Sequence, residues 1–93
     1  MKVFILVLVL SIAAPVLAST NCHSSERFGG RLVQVGDSER KVIQSAGRPD
    51  REANLENGFG AGVGYRLYYY QRGKTVRIDI QGGVVTQICV VRD

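Results

Sequence analysis

Tryptophan is missing from this chain, and histidine, methionine, cysteine and proline are scarce: one His, one Met, two Cys and two Pro among 93 residues. These shortages narrow the available chemistry. General acid–base work by histidine needs an imidazole fixed within hydrogen-bond reach of its target. The single His23 instead lies beside Cys22 in a polar stretch with no apolar period. Two cysteines and one histidine also fall short of the four ligands of a structural zinc site. No paired carboxylates are evident for acid–base work, and the Gly60-Ala61-Gly62-Val63-Gly64 run lacks the lysine and helix start of a phosphate loop. We therefore expect no catalytic set, no bound metal and no cofactor. Charge of one sign is not concentrated either. Twelve Lys and Arg against eight Asp and Glu give a net +4, and after Lys2 the basic residues are spread from Arg27 to Arg92 with acids interleaved. A field so diluted suits an ordinary solvated surface.

What is present begins with a leader. Met1-Lys2 supplies a positive charge, Val3 to Ile12 an apolar run, and Ala13 to Ala18 the small residues that precede a polar stretch. These are the three parts of a secretory signal peptide, and cleavage is expected after Ala18. An uncleaved anchor is the alternative, but Val3 to Ala18 is shorter than the roughly 20 residues that span a bilayer. Cys22 is preceded by Ser19-Thr20-Asn21, which is not a lipoprotein pattern. Residues 1–18 are thus expected to be a signal peptide, 19–30 an extended lead-in and 31–93 one α+β domain. The location implied is periplasmic or secreted, with no stable membrane span after cleavage.

So small a domain is marginal on burial alone and usually needs a staple. Cys22 and Cys89 stand near the two ends of the expected mature chain, and in an oxidising compartment such a pair is more often bridged than free. An intramolecular disulfide is expected, with free thiols or an intermolecular bond as the alternatives.

The period of the apolar residues then sets the elements. Arg31 to Val35 suits a short strand. Asp37 is placed to cap a helix carrying Val42, Ile43 and Ala46 on its apolar face, which Gly47 and Pro49 end. Asp50 to Glu56 is a weaker strand, and the glycine-rich Asn57–Gly62 stretch reads as a mobile loop. From Tyr65 the period is two. Tyr65, Leu67 and Tyr69 alternate with Arg66, Tyr68 and Tyr70, and Val76, Ile78 and Ile80 alternate with Thr75, Arg77 and Asp79. Past the Gly82-Gly83 turn, Val84, Thr86, Ile88 and Val90 should share one face, with Val85, Gln87, Cys89 and Val91 on the other. The fold class expected is one short helix packed on a three- to four-stranded antiparallel β-meander. Asp79 reads as an outward-facing strand residue.

The most suggestive surface is aromatic and basic. Tyr68 and Tyr70, with Arg66, Arg72 and Arg77 nearby, are the candidate partner-binding residues, because Tyr and Arg are enriched at binding hot spots. Tyrosines also favour strands and half of them must face a core, so a structural role is the competing reading. Such residues can also stack on nucleic acid, but export argues against that partner.

The order Arg31-Leu32-Val33-Gln34-Val35-Gly36-Asp37-Ser38, then Val42, then Gly47-Arg48-Pro49, resembles the domain-of-unknown-function 2845 family of small exported bacterial proteins. Tyr65 to Tyr70 and Gly82 to Ile88 are similar to that family's tyrosine-rich strand and glycine hairpin. The order is also similar to the small lipoprotein domain of the outer-membrane barrel-assembly machinery, a helix-and-meander fold. The resemblance implies export and an α+β fold, and no reaction. Where the family commonly carries two cysteines, this chain has Phe28 and Ala46, so the family disulfide does not carry over.

Together these features point to a non-catalytic protein-interaction module of the cell envelope, its partner an envelope or secreted protein. The alternative is a secreted hydrolase inhibitor acting through the Asn57–Gly64 loop.

Overall fold

The computed structural model describes Thr20–Arg92, so the expected signal peptide, residues 1–18, lies outside the described residues. In chain order the elements are β1 (Thr20–His23), β2 (Ser25–Phe28), β3 (Arg31–Gln34), α1 (Glu39–Ala46), β4 (Arg51–Glu56), β5 (Gly62–Gln71), β6 (Lys74–Gln81) and β7 (Val84–Arg92). β4 to β7 form an antiparallel meander, and β1 extends it into a five-stranded sheet of order β1-β7-β6-β5-β4. β2 and β3 pair separately as a two-stranded ribbon. The α+β class with one short helix therefore holds, while the expected three to four strands fall short.

The two strands hidden in the lead-in show why. Every side chain of β1 is exposed, so no apolar alternation marks it in the sequence. Backbone pairing to the edge of β7 makes it a strand, with Cys22 directly opposite Cys89. At Ser24 the chain leaves the sheet, and β2 begins on the far side of that residue.

Helix and ribbon cover one face of the sheet. Val33 of β3 and Val42 of α1 meet Leu67, Tyr69, Val76, Ile78, Ile80, Val85, Ile88 and Val90 in one buried cluster. Phe28 and Ala46 are half-buried against the same cluster. Burying large aliphatic side chains contributes about 2 kcal/mol each, and this cluster is what keeps so short a helix folded.

On β7 the expected phase is wrong by one residue. Ile80 pairs with Val85, whereas Asp79 pairs with Gln87, so Thr86 is an extra residue in a bulge. The bulge turns Val85 into the core and leaves Val84 exposed. Thr86 Oγ1 donates to the carbonyl of Asp79 at 3.3 Å across the irregularity. Beyond it Ile88 and Val90 face the core, and Cys89 points to the opposite side, as expected.

Helix α1 also departs in detail. Ser38, not Asp37, is its N-cap, accepting from the Lys41 N–H at 3.2 Å. The Asp37 carboxylate instead accepts from the Gln34 N–H at 2.8 Å and closes the turn after β3. Val42 is fully buried, but Ile43 is 37 % exposed. At 100° per residue the buried stripe runs through Glu39, Val42 and Ala46, and Ile43 lies on its rim.

Two backbone contacts lock this layer to the sheet. The Gly36 N–H donates to Val85 O at 2.8 Å, and the Val85 N–H donates to Asp37 O at 2.8 Å. The segment thus covers the part of the β7 edge that β1 does not reach. At the other end of the meander, a Cβ on Gly64 would lie 1.9 Å from the Ile80 carbonyl oxygen. Only glycine permits that approach, next to a register shift in which Val63 is the extra residue.

The open sheet face as a candidate functional site

Strand alternation divides the tyrosines by role. Tyr65 and Tyr69 point toward the covered face. The Tyr69 hydroxyl donates to Gly47 O at 2.8 Å, and its ring meets Phe28 edge-on with centroids 5.1 Å apart. The Tyr65 hydroxyl donates to the Glu39 carboxylate. That bond, reinforced by desolvation, pushes the Tyr65 phenol up to about 12. Burial, with the negative charges of Asp50 and Glu52 nearby, pushes Tyr69 up to about 12 as well. These two tyrosines are structural.

The opposite parity carries the candidate binding residues. Arg66, Tyr68 and Tyr70 of β5 share a face with Arg77 and Asp79 of β6, and among the described residues no helix or strand packs onto it. Tyr70 is 54 % exposed. Register draws the side chains into rows across the sheet. One row runs Arg51, Tyr68, Arg77, Cys89, Cys22, and the next runs Ala53, Arg66, Asp79, Gln87. Four of the five candidates therefore come together. Arg72 does not join them, since it occupies the turn between β5 and β6.

Within the second row Arg66 and Asp79 are direct cross-strand partners. Arg66 Nε lies 2.6 Å and an Nη 3.1 Å from the two Asp79 oxygens, a bidentate pair. Asp79 faces away from the apolar set, as expected, but it is only 6 % exposed and not solvated. The pair is what allows a carboxylate to be buried there. Hydrogen bonding to Asp79 raises the Arg66 pKa further, against the opposing effect of desolvation.

In the first row the Arg51 guanidinium lies over the Tyr68 ring, its Cζ 5.3 Å from the centroid, within cation–π range. Arg77 Nε is buried without a hydrogen-bond partner. Arg51 was not among the candidates, because nothing in a weak strand's composition says which sheet neighbour it will meet. Only the register puts it beside Tyr68.

The Cys22–Cys89 disulfide is formed, with Cα atoms 3.9 Å apart, and it ends this row at the β1 edge. The Asn57–Gly62 stretch, expected as a mobile loop, joins β4 to β5, with Gly62 already the first residue of β5. The Asn57 side-chain oxygen accepts from the N–H groups of Phe59 at 2.9 Å and Ala61 at 3.0 Å. Phe59 stands at its tip, 97 % exposed.

Among the described residues there is no pocket, no cluster of His, Cys, Asp and Glu able to hold a metal ion, and no helix long and apolar enough to cross a membrane. No family model, curated protein or solved structure matches this chain.

Proposed function

We propose that this protein is an exported, non-catalytic interaction module of the cell envelope, periplasmic or secreted, that binds a protein partner through the open face of its sheet. One observation carries the reading. A single uncovered face gathers Arg66, Tyr68, Tyr70 and Arg77, while the opposite face is sealed by helix and ribbon. Tyrosine and arginine offer large contact area with a polar tip, the side-chain type enriched at hot spots. The disulfide supports an oxidising compartment, and the leader pattern of residues 1–18 supports export.

A photo-crosslinking residue in place of Tyr70 tests the surface in cells that export the protein, with one in place of the exposed helix residue Arg40 as control. Adducts from position 70 and none from position 40 are expected. Identical adducts, or none, would remove the assignment. Intact mass with and without reductant reports leader removal and the disulfide together.

A second reading, a secreted hydrolase inhibitor, draws support from the fully exposed Phe59 on a hydrogen-bonded loop. Loss of inhibition in Phe59→Ala, with unchanged folding, is what it requires.

A further inference from the structure

We propose that the Arg51–Tyr68–Arg77 row is a binding site for an acidic peptide segment that offers a carboxylate to each arginine. This rests on the open face being the interaction surface and adds the partner's chemistry. The three residues are direct neighbours in register, Arg51 opposite Tyr68 and Tyr68 opposite Arg77, on three adjacent strands.

Charge decides the class of ligand. The carboxylate of Asp79, buried on this face, is taken up by Arg66. Glu52 lies opposite Leu67 in the register, so it belongs to the covered face. The ion pairs among the described residues are Lys41–Asp37, Arg66–Asp79 and Lys74–Glu26, which leaves Arg51 and Arg77 without an acidic partner. Arg77 Nε is moreover buried with no acceptor. A buried donor in that condition is costly, and a shift of the side chain toward a bound oxygen would remove the cost. Arginine favours carboxylates because its planar fork matches their two oxygens.

Spacing suits a chain. The backbones of Arg51 and Arg77 stand two strands apart, about 10 Å at the strand spacing of a sheet, a distance that two acidic side chains on one extended segment cover. A single anion on which both long side chains converge is the competing ligand that the phosphate arm of the test reports. Tyr68 between the arginines and Tyr70 beside them supply the apolar contact that such a segment also needs.

The test titrates an octaglutamate peptide into the purified protein and follows the arginine side-chain Nε–Hε resonances by NMR. Inorganic phosphate and phosphatidylglycerol vesicles are titrated in parallel. Octaglutamate should shift the Arg51 and Arg77 signals and leave Arg40 in place. Arg51→Gln and Arg77→Gln should each weaken binding about fivefold, as for a partly exposed ion pair, and rising salt should weaken it further. Unchanged affinity in the variant that carries both Arg51→Gln and Arg77→Gln, or equal shifts at Arg40, would overturn the proposal. Saturation by phosphate or vesicles without octaglutamate binding would overturn it too. Should crosslinking at position 70 persist while octaglutamate fails to bind, the acidic chemistry is wrong and the interaction face stands. Octaglutamate binding without any crosslinked partner supports the acidic site and counts against the protein-interaction reading.

Discussion

The two faces of the five-stranded sheet draw on the same two strands, β5 and β6, and have opposite physics. On one side Leu67, Tyr69, Val76, Ile78 and Ile80 disappear under the helix and ribbon. On the other, in the same strands and one residue out of step, stand Arg66, Tyr68, Tyr70, Arg77 and Asp79. The covered face obtains its stability from apolar area. The open face keeps charged and aromatic groups half-buried through local pairing, as in Arg66–Asp79 and Arg51 over Tyr68. Consequently, substitutions on the first face should act on folding, whereas on the second those of Arg51, Tyr68, Tyr70 and Arg77 should act on binding and only the buried Arg66–Asp79 pair on folding.

The largest effect expected is from Ile78→Ala, which empties the centre of the covered face. A loss of about 4 kcal/mol in denaturant unfolding is expected for such a fully buried side chain. Replacing both cysteines by serine removes a staple across 67 residues of sequence separation. It should cost about 3 kcal/mol, measured as a shift in the denaturation midpoint that reductant reproduces in the wild type. On the open face, Asp79→Asn tests whether that side contributes to folding at all. With the bidentate partner of Arg66 weakened, about 2 kcal/mol should be lost.

The structural tyrosines make a smaller prediction with a pH signature. Tyr65 and Tyr69 ionise at about 12, above the ordinary 10.0, because the fold favours their neutral forms. Their contribution is therefore complete below pH 10 and is lost as the pH rises from about 10 to about 12. Tyr69→Phe should cost about 1 kcal/mol near neutrality through the lost bond to Gly47. Its alkaline melting curve should also fall less steeply. Smallest of all should be Tyr68→Ala with Tyr70→Ala, within about 1 kcal/mol in thermal melts. A large loss there would make the open face part of the folding core and break the comparison.

How much of this was legible from residues alone differs along the chain. Where side chains alternate strongly, as in Tyr65 to Ile80, strand identity and face assignment were both readable. The last strand was readable as a strand and misassigned before Thr86, since one bulge residue reverses the parity of everything on one side of it. β1 was invisible, because its pairing is made by backbone groups and its side chains are all exposed. The candidate surface was legible as a group, Arg66, Tyr68, Tyr70 and Arg77, but Arg51 was not.

By itself, the order of residues determined what depends on near neighbours. That includes the period-two strands, the glycine turns, the helix stop at Gly47, and a pair of cysteines near the two ends of the expected mature chain. Tertiary structure decided whatever depends on which strand lies beside which. It set Cys22 opposite Cys89, gave Asp79 to Arg66, moved Val85 inward, and brought Arg51 to Tyr68. Local preference acts over a few residues, whereas register between strands follows from the packing of a whole sheet against its covering layer.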